Sequence, residues 1–487
     1  MRIEHTKSQE VMSMLGKRKF FFIFLAVLMI VALPSFAQTK VTITVYGDQG
    51  QNLNPVEWLK PLAAEKGITL EIVGVPFTSV YEKLKTEFVG GTGAYDVAIF
   101  YPAYLGEFAE FGYLQPLDSL FSVHDPNMAD VVPGYRDLYT QYNGKTYALP
   151  YDGDILNLYY VKDIFTNSAE KAAFKAKFGQ ELAVPRTWDD LSKVAQFFTR
   201  KKGEKLAGKV LDQDYYGFAF LGARGFAYAW WGNIFGSLGG AYFNRDMKPQ
   251  INAKAGVDAL NIQKALMAFC PPDVMNMGYQ ELMNAYLQGR VATMIQWSDV
   301  WKKANDPKLS KIVHNAGISQ VPGVKQADGS IYFRAAAPVG RIIGIPTTTK
   351  HPKEAFWVAS MLSYDQSIKA VTSNDAGEDP YRISHMNNIK AFEKFGTAAE
   401  AKNYLDTVKD NLNHIFPDIN IPGSAEYLDA LDVAVTSTLS GSGDAVSNLN
   451  TAAATWDKIT QSLDVNRQKK IYNSMLEMWK KHGFWKD

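Results

Sequence analysis

Between Val41 and Phe100 the chain reads strand, helix, strand, helix, strand, and few folds accept that order. Val41 to Val45 alternates branched apolar residues with threonine, a strand signal, and ends at Tyr46-Gly47-Asp48-Gln49-Gly50. Trp58 to Lys66 reads as a helix that stops at Gly67, and Thr69 to Val75 reads as a second strand closed by Pro76. Thr78-Ser79 opens a helix carrying Tyr81, Leu84 and Phe88 at helical spacing, which stops at Gly90-Gly91 before a third strand, Asp96 to Phe100. Alternation of this kind predicts a parallel sheet in an α/β lobe. Ligands of such sheets bind in the loops beyond the carboxyl ends of the strands. Here those loops carry Asp48, Gln49, Tyr101 and Tyr104.

Size and composition set outer bounds. A chain of 487 residues is too long for one ordinary domain and predicts two or three. A net charge of +1 without long basic or acidic blocks gives no electrostatic reason to expect nucleic acid. Cys270 is the only cysteine, so no intramolecular disulfide forms, and the residue reads as a small buried hydrophobe ahead of Pro271 and Pro272. Lys17, Arg18 and Lys19 precede an apolar run from Phe20 to Leu33, followed by Pro34-Ser35-Phe36-Ala37. That order is a secretory signal peptide over residues 1–37, cut before Gln38. The run is shorter than the roughly 20 apolar residues of a membrane-spanning helix, and no cysteine lies near the cut to carry a lipid. The expected location is the periplasm.

From Asn143 to Phe165 one extended run, Tyr147 to Leu149, stops at Pro150, and another, Ile155 to Val161, begins. Asp152 and Asp154 flank Gly153 between them, placed to accept hydrogen bonds from hydroxyls. This stretch resembles the first interlobe crossing of the extracellular solute-binding proteins of ABC importers, a family whose ligands are mostly sugars. Further segments resemble the same family in order: Gly90 to Asp118, with Gly112, Leu114, Leu117 and Asp118; Pro185 to Leu191, whose Thr187 and Asp190 form a capping box; and Tyr216 to Tyr242, with Phe226, Tyr228, Trp230 and Trp231. Tyr279 to Trp301 and Pro338 to Ala355 complete the series. A phosphate-cradling role for Gly90, Gly91 and Gly93 fails, because the Walker spacing and its Lys-Ser/Thr are absent.

The resemblance implies an α/β, two-lobe periplasmic-binding-protein fold, type II-like, each lobe a mixed sheet flanked by helices. Residues 38–154 plus about 342–392 would form the N-terminal lobe. Residues about 155–341 plus about 393–487, ending in a helical segment, would form the C-terminal lobe. It implies a receptor, soluble and monomeric once the leader is removed, that captures a sugar or oligosaccharide between closing lobes and hands it to ABC permease subunits in the membrane. A sensor that presents bound sugar or polyol to a partner receptor would use the same closure.

Candidate ligand-binding residues are Asp48, Gln49, Phe100, Tyr101, Asp152, Asp154, Trp230, Trp231, Trp297, Arg341 and Arg382. Asp154 falls where maltodextrin-binding relatives place a ligand-contacting glutamate, and Phe100 and Tyr101 where they place an aromatic. Neighbouring positions on a helix differ by about 100°, so one of Trp230 and Trp231 is expected to face the cleft. Trp297 is preferred over Trp301, which helical spacing buries. Arg341, Arg382 and Arg224 would favour an acidic sugar if two of them faced the cleft; otherwise a neutral saccharide comes first and a polyol second. Catalysis is not expected. Asp152 and Asp154, two residues apart on an extended segment, would share one face instead of flanking a glycosidic bond. The seven histidines show no metal spacing such as HExxH, and no Gly-x-Ser-x-Gly elbow is present. No cofactor is expected.

Overall fold

The computed structural model describes residues 40–338 and 340–485; the leader assigned to residues 1–37 lies outside the described residues. From Thr42 onward the chain forms one compact unit. The expected alternation is present at its start: β1 (Val41–Asp48), α1 (Asn54–Glu65), β2 (Ile68–Val75), α2 (Val80–Gly90) and β3 (Val97–Phe100). Helix α1 begins earlier than Trp58 because Pro55 in its first turn has the φ that a helix start needs. Helix α2 ends at Gly91, whose φ of 61° closes it in the left-handed conformation.

Strands β1 and β3 are parallel, with Val45 opposite Val97. The sheet they belong to is mixed, because β4 (Ala148–Pro150) and β8 (Ile342–Gly344) join it in the order β2-β1-β3-β8-β4. β8 lies antiparallel to both neighbours, Ile343 pairing with Ile99 and Leu149. It is the return strand expected at Ile342, inserted between β3 and the strand that enters the crossing.

A second sheet, in the order β6-β5-β7, has β5 (Asn157–Val161) at its centre. Antiparallel to β5 run β6 (Thr293–Gln296) and β7 (Ala316–Ser319). Residues 151–156 therefore lead directly from one sheet into the other. Helices α3 (Trp188–Phe198), α4 (Ala227–Ser237) and α5 (Tyr279–Leu287) belong to this half. Every residue of α4 is buried, as expected of a helix apolar on all sides. Four more helices close the chain: α6 (Ala398–Leu412), α7 (Ser424–Leu439), α8 (Ala445–Ser462) and α9 (Val465–Lys481). Helix α7 packs on α8 and on α4, and a short parallel pair joins Ala335 and Ala336 to Ile415 and Phe416. Among the described residues no helix is long and apolar enough to cross a membrane.

Two local expectations hold in detail. Thr187 Oγ1 accepts from the Asp190 N–H at 3.0 Å while Asp190 Oδ2 accepts from the Thr187 N–H at 3.2 Å. Trp188 packs inward and donates to Ser237 Oγ at 2.9 Å. Cys270 is buried and its thiol points at the Leu266 carbonyl. Thr187→Ala removes one bond of the capping box and is expected to lower stability by about 1 kcal/mol; the shift in the urea midpoint measures it.

Candidate functional site

The loop after β1, the crossing and the approach to β8 converge on one guanidinium. Arg341 donates from Nε to Asp48 Oδ1 and from Nη2 to Asp48 Oδ2, both at 2.9 Å, a bidentate pair. Its Nη1 donates to Asp152 Oδ2 at 2.5 Å and lies 3.7 Å from Asp154 Oδ2. Asp152 Oδ1 accepts from the Asp379 N–H at 2.7 Å, and Asp379 Oδ2 from the Ser298 N–H at 2.9 Å. Asp152, Asp154 and Asp379 bring carboxylate oxygens within 4.8 Å of one another, all buried. Burial first, and then the neighbouring carboxylates, pushes Asp154 and Asp379 well above the usual carboxylate range. Three carboxylates so close disfavour one another's charge, only Asp152 among them has a hydrogen bond from Arg341, and their hard oxygens also suit a hard cation.

Beside this cluster lies a cavity of about 570 Å³. One wall comes from the loops after β1 and β2, with Asp48, Gln49, Gln51, Asn52, Phe77 and Thr78. Asp154 and Arg341 also line it. The other wall carries Leu221, Arg224 and Phe226 ahead of α4, Tyr279 and Gln280 at the start of α5, and Trp297 and Asp299 after β6. Tyr279 donates to Asp299 Oδ2, and Lys303 reaches both at 2.6 Å. Burial acts to raise the Asp299 carboxyl, but Lys303 and the Tyr279 hydroxyl outweigh it and hold it below the usual range. Arg224 is held by Asp432 at 2.8 Å and Asp429 at 2.7 Å. Both guanidinium groups on the wall are therefore already matched by carboxylates.

The structure places five of the eleven candidates on this wall: Asp48, Gln49, Asp154, Trp297 and Arg341. The other six lie off it. Phe100 is fully buried in β3. Tyr101 is buried behind Phe77 and donates to its carbonyl at 3.3 Å. Asp152 is fully buried beneath Arg341, so the two crossing carboxylates do not present one shared face to the cavity. Trp230 donates to the Ile295 carbonyl at 2.8 Å and meets Trp297 edge-on. Trp231 donates to the Gly256 carbonyl at 3.0 Å and stacks on Phe235. Neither faces the cleft, because α4 is covered on every side. Arg382 is fully buried and donates to the carbonyls of Ser363, Asn127 and Pro126.

Phe77, Thr78, Tyr279 and Asp299 are wall residues that the sequence reading passed over. The strand-end rule that picked out Asp48 applies equally to the loop after β2 and would have reached Phe77 and Thr78. Tyr279 and Asp299 carried no such signal. A larger groove of about 730 Å³ runs along Trp188 and the Val324–Ile331 hairpin, with cations and carboxylates intermixed and no part of the arginine cluster.

Glu378, fully buried next to the cluster, is pushed up to about 8 by burial and then by Asp152. Its folded value exceeds the unfolded value of about 4.3, so the folded state holds the extra proton. Its stabilising contribution is complete below the unfolded value and is lost as pH rises through 8. The melting temperature is expected to fall between about pH 5 and about pH 8 and to level off above, and Glu378→Gln to make that fall shallower. An unchanged slope in the variant would assign the titration to another group.

The sequence profile for bacterial extracellular solute-binding proteins matches residues 51–368. A binding protein of Brucella abortus is 28% identical over 282 residues, 56% of this chain and 61% of the relative. An amino-acid ABC transporter periplasmic-binding protein of Sinorhizobium fredii is 25% identical over 262 residues, 53% of this chain and 56% of the relative. The chain thus spans about three fifths of the length of the curated relatives it matches. The fold is that of an ABC transporter solute-binding protein from Agrobacterium radiobacter K84, solved in complex with ribitol. That structure superimposes with a TM-score of 0.72 at 23% identity over 87% of this chain and 99% of the other. With its profile matched across more than half of its length, this chain belongs to the bacterial extracellular solute-binding protein family.

Proposed function

We propose that the protein is the periplasmic receptor of an ABC importer for a neutral polyhydroxylated ligand, a sugar or polyol, bound in the cavity between the two sheets. The lobes are then the two halves built on those sheets, joined at residues 151–156, and ligand release passes to the membrane permease. The observation that carries this reading is the pairing of the cavity's surfaces. Asp154, Gln49 and Asn52 offer acceptors and donors for hydroxyls on one side, and the Trp297 and Phe226 rings offer faces for C–H groups on the other. Asp154, pushed up by burial and the neighbouring carboxylates, accepts from one hydroxyl and, once protonated, donates to another.

The similar proteins differ in ligand, one named for amino acids and another solved in complex with ribitol. Charge favours the polyol. An α-amino acid or a uronate brings a carboxylate that needs an available cation, whereas Arg341 and Arg224 are already held by aspartates. Lys303, beside the wall, is held by Asp299. The acidic-sugar reading asked for two of the three arginines at the cleft; Arg341 and Arg224 do line it, but aspartates already occupy both guanidinium groups, and Arg382 lies in the core. The enzyme reading loses support for a different reason: Asp152 is sealed under Arg341 and cannot flank a bond in the cavity.

A thermal-shift screen of the purified protein against sugars, alditols, uronates and amino acids tests the proposal. A ligand at about 100 times its dissociation constant adds roughly 2.7 kcal/mol, and mass spectrometry should recover it unchanged. Asp154→Ala is expected to weaken binding about 10- to 100-fold, because ligand hydroxyls buried against the wall are left without a partner. A response confined to amino acids or uronates would reject the ligand class.

A further inference from the structure

We infer that Phe77 and Phe226 set the length of the ligand, closing the cavity so that it admits a single sugar ring or a linear alditol and excludes chains of linked rings. This rests on the proposed reading of the site and adds a limit that the family alone does not set. Phe77 lies in the loop after β2 and Phe226 directly precedes α4, so the two come from opposite walls. Their ring centroids are 4.2 Å apart at an interplanar angle of 43°, a direct van der Waals contact. A second contact spans the cavity where Gln51 Nε2 lies 3.4 Å from the Tyr279 hydroxyl. At both points the walls already touch, so a chain of linked rings cannot leave the cavity there.

Both phenylalanines are held in place, which makes the contact a built feature. The Phe77 ring packs on Tyr101 at 5.0 Å, and the Tyr101 hydroxyl donates to the Phe77 carbonyl. On the other side, Asp432 accepts from the backbone N–H of Gly225 at 2.6 Å and of Tyr228 at 3.2 Å, bracketing Phe226. Gly225 has a φ of 118°, open to glycine and strained for other residues, and this turn aims Phe226 at the cavity. Closing such a cleft discriminates by exclusion, a repulsive element that a longer ligand meets and a shorter one does not.

The test is calorimetric titration of the purified protein with D-mannitol, ribitol, D-glucose, maltose and maltotetraose. At least one of the small ligands should bind, with maltose and maltotetraose weaker by about tenfold or more. The Phe77→Ala/Phe226→Ala double variant should narrow that gap by about tenfold, and Phe77→Leu, which keeps an apolar contact, should preserve it. Circular dichroism melts establish that the variants fold; if the double variant does not, Phe226→Ala alone takes its place. Wild-type protein that binds maltotetraose as tightly as its best small ligand overturns the length limit and leaves the sugar reading intact. A folded variant with an unchanged gap assigns the limit to other residues. No binding of any of the five, with amino acids binding instead, rejects the polyol reading and the length limit with it.

Discussion

The site depends on Arg341. Its guanidinium joins Asp48 and Asp152, positions 293 and 189 residues away along the chain, and so connects the end of β1 to the crossing at the approach to β8. All three side chains are buried. A buried ion pair adds little over a well-packed apolar substitute, but removing one partner strands the others, at about 3–5 kcal/mol. The cluster therefore works as a geometric constraint: the crossing cannot shift without exposing an unmatched charge. Asp154, two residues beyond Asp152, inherits its position on the cavity wall from that constraint.

The same pairing decides what the cavity can recognise. A guanidinium at a ligand site ordinarily signals an anionic partner, and sequence alone leaves that option open for Arg224, Arg341 and Arg382. In the folded chain two of the three reach the wall with aspartates already bound to them, and the third holds backbone carbonyls in the core. With Asp154, Asp379 and Glu378 all raised toward protonation, Arg341 and Lys303 are already balanced by Asp48, Asp152 and Asp299. A neutral ligand leaves that balance undisturbed. An anion would need a new cation, and a cation would have to draw a proton from a buried acid.

Periodic patterns carried most of what could be read in advance. Alternation in β1 and helical spacing in α2 follow from backbone geometry, so both elements are visible without tertiary information. The strand ends located Asp48 and Gln49, because the position of a loop relative to its sheet is a topological property. Which side of a uniformly apolar element faces a ligand is not local. Trp230 and Trp231 are equivalent by every measure available in sequence, and both are covered by partners from distant segments, Ile295 and Gly256. The wall aromatic from this region is Phe226, which sits just outside the helix where the backbone turns at Gly225. Tyr279 and Asp299 escaped notice for a related reason: their pairing through Lys303 exists only once α5 and the segment after β6 are packed together.

Gly153 shows how closely the crossing is fitted. A Cβ at this position would lie 2.4 Å from the Pro380 carbonyl oxygen, so the segment between Asp152 and Asp154 runs directly against the chain that carries Asp379. That approach brings the three carboxyl groups together, and it allows the Asp379 N–H to reach Asp152. On the other side, a Cβ at Gly340 would lie 2.7 Å from the Tyr135 hydroxyl, which donates to the Asp152 carbonyl. Two glycines thus let three chain segments close around one acidic residue. Any larger side chain at either position would push the segments apart and separate the Asp154 and Asp379 carboxyls that now lie together. The absence of a side chain at Gly153 and Gly340 is in this sense a condition for the chemistry of the residues beside them.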